Sequence, residues 1–199
     1  MKIIIASVQE FKQNIPDLLS QIAPCYAAKY EKHKRMQDKL QEVVSGYLLR
    51  QYLGVVRDEQ LTYNEYNKPM LASKEKYFNL SHSRDYVVLG IADCELGVDV
   101  ERLRKCHEAT VKKVFRPEHQ TELSVLTGNF KDQKFTEIWT MYESVLKLRG
   151  IGFSHGWGNI PVESYYVKSI IEGEYYISCA TEEPVQVEVE RAETEYRYI

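Results

Sequence analysis

Three short runs of β-branched and aromatic residues, separated only by turn-forming residues, most constrain how this 199-residue chain can fold. They predict three consecutive strands, at 77–83, 86–92 and 97–101. The turn between the first two falls at Arg84-Asp85. Strands this short need a covering layer to bury an apolar face, so the segments around them must supply the rest of the core.

Apolar residues at helical spacing predict helices on both sides of these strands. The expected helices are 15–28, a segment that includes 40–52 and ends at Gly54, 108–115, 117–126 and 131–149. Strand patterns are also present at 2–8, 163–171, 174–180 and 184–191. The sequence therefore predicts a fold of the α+β class.

Composition excludes several classes of protein. Apolar residues make up 44% and charged residues 28%, as in ordinary globular chains, and the net charge of −3 gives no overall attraction to nucleic acid. The four scattered cysteines form no CxxC pair, which favours a reducing compartment. Polar residues interrupt the apolar start early, and no apolar run is long enough to span a membrane. We expect a cytoplasmic protein.

Asp99 and Glu101 are separated by one residue in the third predicted strand, so both carboxylates point to one face. Val98 and Val100 then point to the other face, toward a core. Two carboxylates this close raise each other's pKa unless a cation lies between them, and Mg²⁺ is such a cation. The alternative is an exposed strand edge with two solvated acids, and the pattern alone favours it.

Trp139, Glu143 and Lys147 recur at four-residue spacing in the predicted helix 131–149, which places them on one stripe. A surface ion pair between Glu143 and Lys147 is the simpler interpretation. The functional interpretation is a third carboxylate, with an ammonium group one turn away that binds a phosphate.

His82 lies between Ser81 and Ser83, just before the turn at Arg84-Asp85, where two hydroxyls and an imidazolium suit an anion. The segment 29–39 is dense in lysine and arginine. Its cations form either a solvated helix face or a site that holds phosphate through charge-assisted hydrogen bonds.

The order of these features resembles the 4′-phosphopantetheinyl transferase family, of the monomeric, pseudodimeric type that activates surfactin synthetase. Three blocks carry the resemblance: NLSHS at 79–83, GVDVE at 97–101 and WTMYESVLK at 139–147. Smaller matches are Asn67-Lys68-Pro69, Phe115-Arg116-Pro117-Glu118 and Gly150-Ile151-Gly152-Phe153. Three blocks in this order and at this spacing form a specific signal.

The resemblance implies a 4′-phosphopantetheinyl transferase-like fold, in which two similar α+β halves form a pseudodimer within one chain. We expect residues 1–94 to form the N-terminal half and residues 95–199 the C-terminal half, with the active site in the cleft between them. Since one chain supplies both halves, a monomer is the expected state.

The resemblance also implies a reaction. The family moves 4′-phosphopantetheine from coenzyme A to a serine of an apo acyl or peptidyl carrier protein, requires Mg²⁺ and releases adenosine 3′,5′-bisphosphate. Such activity serves fatty acid, polyketide or nonribosomal peptide biosynthesis. No nucleic acid or membrane partner is expected.

Matched position by position, the resemblance assigns roles to single residues. Asp99 and Glu101 would bind the metal and Glu143 would complete its site, while Glu143 is also the candidate base for the carrier serine. Lys147 would bind the diphosphate of coenzyme A and assist the leaving phosphate.

Residues of the N-terminal half would contact coenzyme A itself. His82 and Ser81 would contact its phosphates, and Lys68 would lie near the adenosine end. Arg35 and Lys39 are candidates for holding the 3′-phosphate.

Two positions depart from the usual family pattern. Tyr142 stands where a lysine often precedes the helix glutamate, and it falls on the apolar stripe of that helix. Gln41 lies near the position where a cation usually holds the 3′-phosphate, so Lys32, Arg35 and Lys39 are possible replacements for that cation.

These departures leave open a relative that binds coenzyme A or a carrier protein without turnover. An unrelated Mg²⁺-dependent phosphohydrolase that uses the same carboxylates is a third alternative, which the order of the blocks disfavours.

Overall fold

The computed structural model describes residues 1–151 and 161–193, and in them the chain divides into two compact units. The first contains Met1–Asp93 and the described residues from Gln186 onward, and the second contains Cys94–Val185. The family resemblance predicts these last residues in the C-terminal half, 95–199. That the two halves resemble each other as a pseudodimer stays a prediction.

The first unit contains helices and strands in mixed order. Its elements are β1 (Lys2–Ser7), a 3₁₀ helix (Val8–Asn14), α1 (Ile15–Gln21), α2 (Pro24–Lys32), α3 (Met36–Leu53), a 3₁₀ turn (Asp58–Gln60), β2 (Leu61–Tyr63), β3 (Pro69–Leu71), β4 (Tyr77–Ser83), β5 (Tyr86–Ala92) and, after the second unit, β9 (Glu188–Arg191). The second unit contains β6 (Gly97–Arg102), α4 (Glu108–Val114), α5 (Pro117–Ser124), α6 (Gly128–Leu148), a 3₁₀ turn (Val162–Ser164), β7 (Tyr166–Glu172) and β8 (Tyr175–Thr181). The α+β class is confirmed.

The first unit is built on a four-stranded sheet in the order β4-β5-β1-β9. β5 pairs antiparallel with both β4 and β1, whereas β9 pairs parallel with β1. The hydroxyl of Tyr52 in α3 donates a hydrogen bond to Glu190 of β9, and Lys2 of β1 forms an ion pair with the same carboxylate. These contacts explain why the residues from 186 onward belong to the first unit.

Helix α3 covers this sheet with an apolar face. Val44 and Leu48 are fully buried and pack in one core with Ile4 of β1 and Leu89 of β5. Gly54, at φ 66°, ends the helix as predicted, because its N–H reaches back to the carbonyl of Arg50.

The predicted helix 15–28 is wrong in one respect, because the structure breaks it into α1 and α2. Ile22 has an extended ψ of 164°, and Pro24 begins the second helix. Proline lacks the N–H that a continuous helix requires, and it pushes Ala23 away from helical geometry. Pro24 was therefore the sequence signal for this break.

The second unit packs α6 against an antiparallel sheet in the order β6-β8-β7. Phe135, Ile138 and Val145 of α6 are buried in its core, as their spacing predicts. Thr140 of α6 is 2.8 Å from the hydroxyl of Ser178 in β8, and Ser178 is paired with Asp99 of β6. This hydrogen bond fixes the helix over the strand that carries the candidate carboxylates.

Within the described ranges, no helix combines the length and the apolar content needed to cross a bilayer.

Candidate functional site

Gly97 allows β6 and α6 to approach each other more closely than any side chain would permit. A Cβ atom at Gly97 would lie 1.9 Å from the carbonyl oxygen of Ser144 and 2.3 Å from the amide nitrogen of Leu148. Both are backbone atoms, which cannot move aside as a flexible side chain does. The first glycine of the GVDVE block therefore serves to bring Asp99, two residues later, under the helix that carries Glu143 and Lys147.

Lys147 and Asp99 form an ion pair across this contact, with Nζ 2.7 Å from Oδ1. Asp99 is buried, and the alternative of a solvated strand edge is therefore wrong for this residue. The surface pair of Glu143 with Lys147 is not supported either, because Glu143 is also buried.

Glu143 is the carboxyl group whose protonation the fold changes most clearly. Burial raises its pKa, the charges of Asp99 and Glu101 raise it further, and Lys147 and Arg104 partly oppose them, giving a pKa of about 8. Its Oε1 is buried and makes no hydrogen bond to any residue in the described part of the chain. A buried acceptor without a donor is costly, so this oxygen marks a position where a cation or a donor would be stabilised.

Glu101 is held by a residue that the sequence blocks did not include. Nη1 of Arg104 lies 2.9 Å from Oε1 of Glu101, and the Arg104 guanidinium stacks 4.9 Å from the centre of the Trp139 ring. The main-chain N–H of Arg104 donates to the hydroxyl of Thr136 in α6. Its position three residues after Glu101 was the available signal, since a cation there can reach back along the chain.

The structure brings three predicted metal ligands, Asp99, Glu101 and Glu143, into one electrostatic cluster. Their carboxylate oxygens are the donors that Mg²⁺ prefers, and the buried, unsatisfied oxygen of Glu143 suits a cation. In the described ranges, however, no group of three or more acidic, histidine or cysteine side chains is arranged to hold a metal ion. Asp99 and Glu101 instead contact Lys147 and Arg104. The donor chemistry fits a hard divalent cation, and ammonium and guanidinium groups contact two of the donors.

Tyr142 packs inward, as its place on the apolar stripe predicts. It is fully buried, its hydroxyl accepts a hydrogen bond from the Arg116 N–H at 3.1 Å, and the same hydroxyl lies 3.0 Å from Nδ1 of His119. Its ring packs 5.1 Å from that of Phe115. The Phe115-Arg116-Pro117-Glu118 block therefore anchors to α6 through Tyr142, and the Tyr142 side chain does not face solvent.

In the first unit, Ser81 and His82 lie in β4, where Ser81 is buried and His82 is exposed. The turn that follows is tied to α3, because the Gln41 amide donates to the carbonyl of Arg84 at 2.9 Å and the Gln37 amide donates to the same oxygen. Gln41 thus positions the hairpin that carries His82.

The end of α3 that contacts the hairpin also carries part of the basic segment. Arg35 and Lys39 flank Gln37 in sequence, at the start of α3. Nζ of Lys39 lies 4.4 Å from the centre of the Tyr30 ring, whereas Arg35 is exposed at the N-cap. Arg84, at the tip of the hairpin, is a further exposed cation that sequence analysis did not select.

Lys68 follows a tight turn built around Asn64. The Asn64 side chain accepts hydrogen bonds from the N–H groups of Tyr66 and Lys68, and Asn67 adopts φ 63°. Asparagine tolerates this left-handed conformation better than most residues, so Asn67 closes the turn at little cost. β3, which begins directly after Lys68, contacts β4, the strand of Ser81 and His82.

Of the block Gly150-Ile151-Gly152-Phe153, the last two residues lie outside the described residues. Gly150 has φ 63° and lies just beyond the C-terminus of α6, as expected of a helix-ending glycine.

Comparison with known proteins identifies a family. The sequence model of the 4′-phosphopantetheinyl transferase superfamily matches residues 95–198. The chain is 29% identical over 139 residues to the 4′-phosphopantetheinyl transferase Sfp of Bacillus subtilis, which covers 68% of this chain and 58% of Sfp. It is 27% identical over 143 residues to the 4′-phosphopantetheinyl transferase gsp of Aneurinibacillus migulanus, which covers 69% of this chain and 58% of gsp. It is 31% identical over 115 residues to the 4′-phosphopantetheinyl transferase AcpT of Escherichia coli, which covers 56% of this chain and 57% of AcpT.

The matching segment of this chain thus spans less than three-fifths of the length of these relatives. The matched superfamily region contains β6 and α6, so it includes Asp99, Glu101, Glu143 and Lys147. The chain belongs to the 4′-phosphopantetheinyl transferase superfamily.

Proposed function

We propose that this chain transfers 4′-phosphopantetheine from coenzyme A to a serine of an apo acyl or peptidyl carrier protein, with Mg²⁺ as cofactor. The observation that carries the proposal is the buried cluster of Asp99 and Glu143 beside Lys147 in the region that matches the superfamily. A monomeric state and a cytoplasmic location remain predictions from the sequence.

The reaction forms a bond between the serine oxygen and the phosphorus that carries pantetheine. The diphosphate P–O bond of coenzyme A breaks, and adenosine 3′,5′-bisphosphate leaves with the bonding electron pair. Catalysis of such a displacement depends mainly on positioning and on neutralising charge. The carboxylates of Asp99, Glu101 and Glu143 would hold Mg²⁺, which when bound supplies positive charge to the diphosphate oxygens.

Glu143 is suited to accept the proton of the carrier serine. Without a cation, its pKa of about 8 leaves the group mostly protonated at neutral pH, and a bound Mg²⁺ would lower that pKa and keep the carboxylate ionised as a base. Burial is the largest cause of the raised pKa of Glu143, and the charge of Asp99 adds to it.

Lys147 supplies a positive charge one helical turn from Glu143. Its ammonium group is partly exposed, with 28% of the side chain accessible, whereas the Asp99 carboxylate beneath it is 8% accessible. A phosphate oxygen can therefore approach Lys147 from the solvent side while Asp99 holds it. In this position, Lys147 stabilises the charge that develops on the leaving phosphate.

The first unit supplies the proposed contacts to coenzyme A. His82 and Ser81 on β4 would bind its phosphates, and Lys68 would bind near its adenosine end. Arg35 and Lys39 at the start of α3 are proposed for the 3′-phosphate, supported by the tie between α3 and the hairpin of His82.

The test is intact-mass spectrometry of an apo acyl carrier protein and an apo peptidyl carrier protein after incubation with the chain, coenzyme A and Mg²⁺. We expect a mass gain of one phosphopantetheine group on at least one carrier, and no gain when EDTA is present. A carrier serine replaced by alanine is the matched control and should show no gain.

The alternative of binding without turnover is motivated by Tyr142, which fills a position where the family often has lysine. Coenzyme A binding in the same samples, with no mass gain on either carrier, would favour this alternative. Release of nucleotide from coenzyme A in the absence of any carrier would instead favour a phosphohydrolase.

A further inference from the structure

Arg104 contacts Glu101 of the acidic cluster and Trp139 of α6 at the same time. Its guanidinium donates to Glu101 at 2.9 Å and lies 4.9 Å from the centre of the Trp139 ring. The positive charge of Arg104 therefore already occupies part of the cluster in which we have proposed that Mg²⁺ binds.

The contact with Glu101 uses an oxygen that a metal ion would need. Each oxygen of an ionised carboxylate can accept a hydrogen bond or bind a cation, and a guanidinium on Oε1 competes with a divalent ion approaching that atom. Lys147 makes the corresponding contact with Asp99.

We propose that Arg104 is a positioning residue that competes with the divalent cation for Glu101, and so sets the affinity of the acidic cluster for metal. This inference rests on the metal site of the proposed function. In the metal-free protein, Arg104 partly neutralises the cluster. When the ion binds, Glu101 exchanges Arg104 for the metal.

The remaining contacts of Arg104 do not depend on Glu101. The Trp139 ring provides a flat surface for the guanidinium, and the main-chain N–H of Arg104 is held by Thr136 at 3.0 Å. Both partners belong to α6. Arg104 therefore stays beside the cluster after it releases Glu101, and the exchange requires only a side-chain movement.

Arg102 offers a matched control two residues earlier. It is an exposed arginine, and it pairs with Glu174 at 2.7 Å, a residue outside the acidic cluster. Arg104→Gln and Arg102→Gln remove the same charge from neighbouring positions, so a general electrostatic effect changes both variants alike. Since both arginines are exposed, both variants should fold.

The experiment is a Mn²⁺ titration of the full chain without coenzyme A, in which electron paramagnetic resonance measures the unbound ion. Because an exposed ion pair contributes modestly, we expect Arg104→Gln to bind Mn²⁺ about two- to fivefold more tightly than the original chain. Arg102→Gln should differ by less. Arg104→Lys keeps the charge, so its affinity for Mn²⁺ should be close to that of the original chain. The difference in Mn²⁺ affinity between Arg104→Gln and the original chain should become smaller at high salt.

Thermal unfolding with Mg²⁺ provides a second readout. The rise in Tm caused by a fixed Mg²⁺ concentration should be larger for Arg104→Gln than for the original chain, because tighter binding to the folded state stabilises it more. Equal or weaker metal affinity in Arg104→Gln overturns the inference while leaving the metal site in place. Failure of the original chain to bind Mn²⁺ or Mg²⁺ overturns the metal requirement itself, and this inference with it.

Discussion

Lys147 reaches across from helix α6 to place its ammonium nitrogen 2.7 Å from a carboxylate oxygen of Asp99 on strand β6. The two residues are 48 positions apart in the sequence, and both lie in the region that matches the superfamily. The pair joins the GVDVE block to the WTMYESVLK block. Their contact makes the two blocks parts of one site.

Asp99→Asn should reduce transfer to a carrier protein by about 100-fold or more, because it removes a charge from the proposed metal site and from the partner of Lys147. The rate of mass gain on the carrier measures this loss. Glu174→Gln is the control, since Glu174 pairs with Arg102 outside the cluster. Unchanged transfer in Asp99→Asn would remove Asp99 from the mechanism.

Glu143 should make the stability of the metal-free chain depend on pH. Its folded pKa of about 8 is raised above its ordinary value of 4.5, so the folded state binds this proton more tightly than the unfolded state. The stabilisation is fully present below about pH 4.5 and is lost as the pH rises through 8. Since one pKa unit corresponds to about 1.4 kcal/mol, the shift from 4.5 to about 8 corresponds to a loss on the order of 5 kcal/mol.

Chemical denaturation in EDTA at several pH values checks this prediction. Glu143→Gln keeps the shape of the protonated side chain and cannot ionise, so its free energy of unfolding should change less between pH 5 and about pH 9 than that of the original chain. If the free energy of unfolding of the two proteins changed equally with pH, the raised pKa of Glu143 would be wrong.

Gly97→Ala should lower the free energy of unfolding by about 3 kcal/mol or more, because the new Cβ would overlap backbone atoms of α6. Gly173→Ala is the matched control in the same unit. Its φ is +59°, but no atom of the residues that the structure describes lies within 4 Å of the added Cβ, so only backbone strain applies, at about 1 kcal/mol. Equal losses in the two variants would show that close approach at Gly97 is not needed.

Tyr142→Phe should cost about 1 kcal/mol, since it removes a hydroxyl that bonds to Arg116 and His119 and keeps the buried ring. Tyr142→Lys should cost more than about 3 kcal/mol, because it places an ammonium group where the side chain is fully buried. Thermal unfolding distinguishes the two. A stable Tyr142→Lys protein would show that this part of α6 can turn its side chain toward solvent.

Gln41→Met should weaken binding of coenzyme A several-fold, because the side chain keeps its length and loses the amide that holds the carbonyl of Arg84. The expected loss of stability is about 1 kcal/mol. Calorimetric titration with coenzyme A measures the binding. Gln21→Met is a control in α1, where the amide donates to Asp17 of the same helix. Unaltered binding in Gln41→Met would remove its positioning role.

Much of the local structure could be predicted from sequence because it depends on neighbours in the chain. The strands of 77–101 and the C-terminus of α3 at Gly54 follow from alternation and from a residue that tolerates positive φ. The break between α1 and α2 does not follow from apolar spacing, which continues across Pro24. The parallel pairing of β9 with β1 has no local signal, since it joins opposite ends of the described chain.

The sequence alone determined which residues share a strand face or a helix stripe, and it identified the family through the order of three blocks. Tertiary structure decided which charges meet. Four-residue spacing favours a pair of Lys147 with Glu143, but the close approach at Gly97 gives Lys147 a buried carboxylate on β6. Burial, which depends on all packed elements together, then raises the pKa of Glu143. Arg104 contacts Glu101 because α6 holds it in place: its main-chain N–H donates to Thr136, and its guanidinium stacks on the Trp139 ring.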